Sequence, residues 1–142
     1  MSHFIYTILG YFGYLILCVA GFPPTPNGNY ALNIDEDTCV QVHCIGDFTT
    51  LKAQLWVQCD SAVMPSTTLE MEETELNSFV VDPESEQAYN TYIRAIKTTC
   101  APDLTVGDND MKRFVSRNNN EQLYVTFAGS ERILVFNKTC WD

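Results

Sequence analysis

The chain has 142 residues, 46% apolar and 12% aromatic, and its 18 acidic and eight basic residues give a formal charge of −10. This length and composition predict one globular domain and exclude a wholly disordered chain. The acidic balance argues against a nucleic-acid partner, because such a protein needs a basic patch to neutralise phosphates.

Residues 1–20 carry the pattern of a secretory signal peptide. An uncharged apolar run fills most of the segment, and Cys18 and Ala20 are small residues at the −3 and −1 positions of a cleavage site before Gly21. A retained membrane anchor is the open alternative, since about 17 to 20 apolar residues can just span a bilayer. No Lys or Arg follows until Lys52, so we expect cleavage, secretion to the extracellular space and no membrane contact afterwards.

Removal of that segment leaves an odd number of cysteines. The disulfide candidates of the mature chain are Cys39, Cys44, Cys59, Cys100 and Cys140. Two bridges therefore leave one thiol, which is either free or joined to another chain in a disulfide-linked dimer. Because Cys39 and Cys44 lie on opposite faces of a regular strand, we expect them to have different partners.

The first predicted elements are an extended segment and a hairpin. Residues 21–38 are rich in Pro, Gly, Asn and Asp, and we interpret them as an extended segment leading into a single globular domain, residues 39–142. Residues 39–45 and 48–59 each alternate apolar and polar side chains, which predicts a β-hairpin.

A helix is predicted after two short strands at residues 67–71 and 78–81. Asp82 suits the N-cap, and the proline after it suits the first helical position. The apolar residues that follow form one stripe of a helix, and they are Ala88, Tyr89, Tyr92, Ile93 and Ile96. We expect the helix to end near Cys100, because a proline follows two residues later.

The C-terminal part predicts a second hairpin. Residues 123–127 and 133–136 are the two strands, and the second is expected to be buried on both faces. Together the elements predict an α+β, mostly β fold, in which an antiparallel sheet of about five to seven strands carries one packed amphipathic helix and is stapled by disulfides. A small β-barrel with an appended helix is the alternative.

Residues for catalysis or metal binding are scarce. His43 is the only histidine of the mature chain, and its neighbour Cys44 points to the opposite face of the strand, so the two cannot form a nucleophile pair. We expect no enzyme, no catalytic residue and no cofactor. An irregular calcium site on Asp103, Asp108 and Asp110 stays open, although a solvated acidic loop is the commoner meaning of such a cluster.

Two sets of residues suggest binding. The stretch 70–86 holds seven acids and no base, and a docking patch for a basic partner there would use Glu72, Glu73 and Glu75. A solubilising face explains the same stretch. Trp56 and Tyr124 lie opposite the apolar rows of their strands, where they either cover the second face of the sheet or form a binding surface.

The sequence thus predicts a secreted, non-enzymatic binding protein that recognises another extracellular macromolecule, as an inhibitor or an effector. Asn137 begins the sequon Asn-Lys-Thr and is expected to be glycosylated. The hairpin-rich pattern and the C-terminal strand closed by Cys140 resemble those of secreted lipocalins, which implies an alternative function as a carrier of a small apolar or amine ligand. The chain departs from that family because neither its N-terminal tryptophan motif nor its run of eight barrel strands is visible in the sequence, and because the helix is central.

Overall fold

The structure is a computed structural model that describes residues 24–48 and 50–141, so the predicted signal peptide lies outside the described residues. Within them, eight strands occur, and their bounds are β1 Gly28–Asn33, β2 Thr38–Gly46, β3 Leu51–Cys59, β4 Ala62–Glu75, β5 Ser78–Val81, β6 Arg113–Arg117, β7 Gln122–Phe127 and β8 Ser130–Phe136. A 3-10 turn, Pro83–Ser85, and the helix α1, Glu86–Cys100, connect β5 to β6.

The sheet closes into a barrel. Each strand pairs antiparallel with the next, and β8 returns to β1 through the pairs Tyr30–Phe136 and Ala31–Val135. The mostly β prediction with one helix is confirmed, and the alternative of a small barrel with an appended helix fits. The main prediction of an antiparallel sheet is confirmed, but its count of five to seven strands is too low, since eight strands occur among the described residues and close on themselves. The closing pairs join opposite ends of the described chain and leave no local signal in the sequence.

The predicted hairpin of residues 39–45 and 48–59 is confirmed as β2 and β3, which pair from Thr38–Cys59 to Gly46–Leu51. The alternation of side chains places one row inside the barrel and one outside, as the period of two requires. Val42 and Leu55, which pair with each other, are fully buried, whereas Gln41 and Trp56 lie on the outer surface and are half-buried.

Three strands differ from the sequence prediction. The segment 21–38 contains β1, whose buried Tyr30 and half-buried Leu32 face inward although turn-forming residues surround them. The strand predicted at residues 67–71 is part of the longer strand β4. Pro65, which lacks a backbone N–H, is tolerated because the first half of β4 pairs only with β3 and no strand on its other side requires that donor. In β8 only Leu134 is buried, so the expectation of burial on both faces is wrong.

The helix ends at Cys100 as predicted, but the residues after Asp82 form a 3-10 turn and the α-helix itself begins at Glu86. Asp82 caps the 3-10 turn by accepting a hydrogen bond from the backbone N of Glu84 at 2.9 Å, and α1 ends at Cys100. Ala88 of the predicted apolar stripe is exposed, and the side chains of α1 that join the barrel core are Tyr89, Tyr92, Ile93, Ile96 and Cys100. The helix packs against β3 and β4 at the end of the barrel that holds the β1–β2, β3–β4 and β7–β8 turns, which we call the helix end. In the part of the chain described, no helix is long and apolar enough to cross a membrane.

Two disulfides and one thiol account for the five cysteines, as predicted. Cys39–Cys140 holds the C-terminal tail against the outer surface of β2, and Cys59–Cys100 ties the last residue of α1 to the end of β3. The remaining Cys44 has a free thiol, is 0% exposed and faces the barrel interior. An intermolecular disulfide would require the barrel to open, so in this fold Cys44 offers no covalent link to a second chain.

Candidate binding surfaces

The interior of the barrel is filled by its own side chains. Those that are at most 1% exposed include Tyr30, Leu51, Leu55, Leu69, Phe114, Leu123, Phe127 and Leu134. A side chain lining a cavity large enough for water would keep accessible surface, so these residues contact one another rather than an enclosed space. The hydroxyl of Tyr30 donates to the backbone O of Asn120 at 2.5 Å, which satisfies the one polar group among them.

An acidic cleft of about 360 Å³ lies at the helix end of the barrel. Three separate segments build it: the β1–β2 turn, the β3–β4 turn and the loop after α1. The residues that line this acidic cleft are Asp35, Glu36, Asp37, Thr38, Asp60, Asp103 and Leu104. Five of the seven carry a carboxylate and none carries a positive charge.

Tight turns fix the carboxylates of the cleft. In the β1–β2 turn, Asp35 Oδ1 accepts a hydrogen bond from the backbone N of Asp37 at 2.8 Å, while Ile34 N donates to Thr38 O at 2.8 Å. Asp60 occupies the left-handed region at φ 53° in the β3–β4 turn, a conformation that Asp tolerates better than most residues. The carboxylates therefore sit on short, hydrogen-bonded turns held by the barrel.

The arrangement suits an organic cation better than a metal ion. Among the described residues, no three Asp, Glu, His or Cys side chains converge closely enough to hold a metal. Uncompensated carboxylates around a concave surface concentrate a negative potential, which attracts an ammonium or guanidinium group. The sequence did not predict this site, because its acidic residues come from three distant parts of the chain. The run Asp35-Glu36-Asp37 is the one part of the cleft that is recognisable in the sequence as a cluster of acids.

The predicted calcium ligands have other roles. Asp108 forms an ion pair with Lys97, whose ammonium lowers the pKa of that carboxyl, and Asp110 accepts hydrogen bonds from the backbone N of Gly107 and of Ala128. Of the three, Asp103 alone lines the acidic cleft. The structure therefore does not bring the three carboxylates together around one ion.

Trp56 and Tyr124 do not form a common surface. Their strands, β3 and β7, are four strands apart in a ring of eight, so the two side chains lie on opposite sides of the barrel. Trp56 is half-buried beside Gln41 and Pro65, and its indole Nε1 is buried without a hydrogen-bond partner in the described part of the chain. Tyr124 is half-buried, and the guanidinium carbon of Arg117 lies 5.5 Å from its ring centroid.

The acids of the stretch 70–86 are partly neutralised by bases from elsewhere in the fold. Lys52 pairs with Glu70 at 3.5 Å, and Lys112 pairs with Glu86 at 2.7 Å. The three predicted contacts at the far end of β4 are exposed, namely Glu72, Glu73 and Glu75. They lie at the end of the barrel opposite the acidic cleft, so the molecule carries two separate acidic surfaces.

Two other predicted residues lie on the outer surface. His43 points outward next to the inward-facing Cys44, as expected, and its Nδ1 is 2.7 Å from Oδ1 of Asn29. Asn137 is exposed just beyond β8, where a glycan would have access to its side chain. Its glycosylation stays a prediction.

Comparison of the chain with protein-family models, with curated proteins and with solved structures gave no match.

Proposed function

We propose that the protein is a secreted, non-enzymatic binding protein that recognises an extracellular macromolecule through the outside of its barrel. The observation that carries this proposal is the filled interior: the large inward-facing side chains described above are at most 1% exposed. A ligand inside would have to displace side chains packed at the density of a protein core, whereas the outer surface needs no such change.

The partner is basic at its contact point. With a formal charge of −10, the protein attracts positively charged molecules over a distance comparable to the Debye length. The acidic cleft gathers five carboxylates without a neighbouring base, so a Lys or Arg side chain of the partner relieves their mutual repulsion. Such contacts favour fast association and strong dependence on salt.

Secretion agrees with the cysteine chemistry. Two disulfides join four of the five cysteines after residue 20, and such bonds persist in oxidising compartments. The apolar N-terminal segment and the sequon at Asn137 support the same location.

The cleft is tested by titrating the isotope-labelled protein with a four-lysine peptide and following backbone amide shifts by NMR. We expect the largest shifts at Asp35–Thr38, Asp60 and Asp103–Leu104, and we expect them to fade as salt is added. Replacing Asp35, Asp37 and Asp60 by Asn keeps the shape of the turns and weakens peptide binding by about tenfold, because three charges are lost.

The matched control removes three charges from the other acidic surface, through Glu72→Gln, Glu73→Gln and Glu75→Gln. Little change is expected in this variant. Equal weakening by both triple variants means that net charge alone attracts the peptide, and the cleft is then not a site. Stronger weakening by the Gln variant moves the docking surface to the far end of β4, where the sequence first indicated it.

A second candidate function is a lipocalin-like carrier of a small apolar or amine ligand. One observation favours it: eight antiparallel strands in sequential order form a closed barrel, an architecture whose interior can hold one small ligand. It requires the interior side chains to rearrange on binding, and this requirement makes it the second choice.

A further inference from the structure

A groove of about 570 Å³ lies between helix α1 and β4, and we call it the α1–β4 groove. Pro65–Thr67 of β4 form one wall, and the other wall is a face of α1 that carries Ala88, Thr91 and Ala95. These three helical residues are three and four positions apart, so they share that face, and all of them are exposed. Because their side chains are small, the helix leaves room for a ligand beside the strand.

Hydrogen bonds on both sides of the groove hold its walls in place. The hydroxyl of Tyr92 on α1 donates to the backbone O of Met64 at 2.6 Å, one residue before Pro65. The backbone N of Glu70 donates to Ser85 Oγ at 2.9 Å, one residue before α1 begins. The groove is therefore formed before a ligand arrives, which lowers the conformational cost of binding.

The groove continues into the acidic cleft, because the same two parts of the chain form both. On the side of the strand, β4 leads back from Pro65 to the β3–β4 turn, in which Asp60 lines the cleft. On the side of the helix, α1 ends at Cys100, and Asp103 in the following loop lines the cleft as well. The disulfide between Cys59 and Cys100 joins the two sides next to the cleft.

The two ends of this combined surface are acidic and its middle is apolar. The cleft carries five carboxylates at one end, and Glu84 lines the groove at the other end, where it is exposed and forms no ion pair with any described residue. Between them lie Pro65, Ala88 and Ala95, together with Val63, which is 42% exposed. A complementary ligand is basic at its ends and apolar in between.

We propose that the groove and the cleft together bind one extended peptide segment of the partner, with basic side chains in the cleft and at Glu84 and apolar side chains between them. The chain from Asp60 to Thr67 spans eight residues, so the surface is about 23 Å long at about 3.3 Å per residue. An extended peptide covers that length with about seven residues, whereas a helix needs about 15, and every ordered residue costs conformational entropy. The basic character of the segment rests on the proposed function, and its extended form and apolar part follow from the groove.

Two synthetic peptides of equal charge test this combined surface. Each has two lysines at its centre and one at each end. In one peptide the two arms between these lysines are Val-Ser-Val-Ser-Val, and in the other they are Gly-Ser-Gly-Ser-Gly, so an arm reaches the groove whichever way the peptide runs. In NMR titrations of the isotope-labelled protein, we expect the valine peptide to bind about tenfold more tightly, the effect of burying about one valine side chain. Its additional amide shifts should lie at Ser66, Thr67 and along the helix from Gln87 to Ala95.

Ala88→Trp fills the groove from the exposed face of α1, and it is expected to abolish the advantage of the valine peptide without changing the affinity of the glycine peptide. Ala95→Trp repeats the test from a second position of the same face. Asn90→Trp is the matched control, because it adds the same side chain at an exposed position of α1 that does not line the groove. Thermal melting checks that each variant is folded.

Equal affinities of the two peptides for the wild type overturn the proposal and leave the acidic cleft as the whole site. A valine advantage that survives in both groove-filling variants overturns it as well, because the arm then binds elsewhere. These two results leave the proposed function standing, whereas binding of neither peptide contradicts both proposals.

Discussion

At the residue scale, Asp110 is the buried acidic residue whose side chain joins the loop after α1 to the barrel. It is 5% exposed, and its Oδ2 accepts hydrogen bonds from Gly107 N at 2.9 Å and from Ala128 N at 2.8 Å. Gly107 allows this contact, because a Cβ there would lie 3.1 Å from Oδ1 of Asp110. The hydroxyl of Tyr89 on α1 donates to the backbone O of Asp110 at 2.7 Å, so helix, loop and β7–β8 turn meet at one residue.

Replacing Asp110 by Ala leaves two backbone N–H groups without an acceptor, so we expect the free energy of unfolding to fall by about 3 kcal/mol. Asp110→Asn keeps one acceptor oxygen and is expected to lose less. Urea denaturation measures both. Asp108→Ala, at an exposed carboxylate two residues away, is the control and should leave the urea midpoint nearly unchanged. A similar loss in the two Ala variants would refute this role of Asp110.

Because the thiol of Cys44 is buried, the free energy of unfolding is expected to fall at alkaline pH. Burial raises the pKa of Cys44 to about 12, whereas an unfolded chain has the ordinary value of about 8.5. The neutral thiol is favoured in the native state, so its contribution is complete below pH 8.5 and is lost as the pH rises towards 12, at about 1.4 kcal/mol per pH unit. Burial also raises the pKa values of Tyr30, Tyr89 and Tyr92, which add to this loss from about pH 10.

The expected result is that Cys44→Ala removes the decline in unfolding free energy between about pH 8.5 and 10, below the range in which the tyrosines titrate. Urea midpoints at several pH values, measured with short incubations to limit thiol exchange, give the slope. The variant also loses some stability at neutral pH from its smaller side chain, which shifts the whole curve without changing its slope. An unchanged alkaline slope would show that the thiol is not buried in this way.

At the scale of elements, local chemistry predicted those parts whose pattern is short and regular. The alternation in β2 and β3 and the capping role of Asp82 are visible within about ten residues each; the first is confirmed, and Asp82 does cap, although it caps the 3-10 turn that leads into α1 rather than α1 itself. The strand β1 is not evident in the sequence because Asn and Gly flank it. The full length of β4 is not evident because it contains a proline, which is tolerated there since that half of β4 pairs only with β3 and has no second neighbour that needs a backbone N–H donor. The apolar residues Ile133 and Val135 predicted that β8 is buried on both faces, but both are exposed in the structure. Apolar composition alone does not show whether another element covers a strand.

The disulfide Cys59–Cys100 holds the helix to the barrel. It joins residues 41 apart, so it restricts the unfolded chain, and its removal through Cys59→Ala with Cys100→Ala is expected to cost about 4 kcal/mol. We also expect faster hydrogen exchange of the amides of α1, since the last helical turn loses its anchor. The comparison is the variant without Cys39–Cys140, in which only the tail after β8 is released. Equal exchange of α1 in the two variants would contradict this role.

At the scale of the whole molecule, neither barrel closure nor the acidic cleft could be predicted from the sequence. Closure depends on two residue pairs between β1 and β8, and the cleft on three segments that only the closed barrel brings together. Sequence patterns extend over a few neighbouring residues, whereas these features result from long-range topology. Composition did predict that the protein is acidic; the fold determines that the charge is divided between the cleft and the far end of β4.

We propose that this barrel binds its partner through its outer surface while its interior stays filled by its own side chains. An apolar amine such as phenethylamine tests it directly, because it carries both the charge that suits the cleft and the body that suits a cavity. NMR titration of the labelled protein should shift the amides of Asp35–Thr38 and Asp60 and leave the methyl groups of Val42, Leu55 and Leu123 unchanged. Saturable shifts of those interior methyl groups would contradict the account and establish the carrier instead.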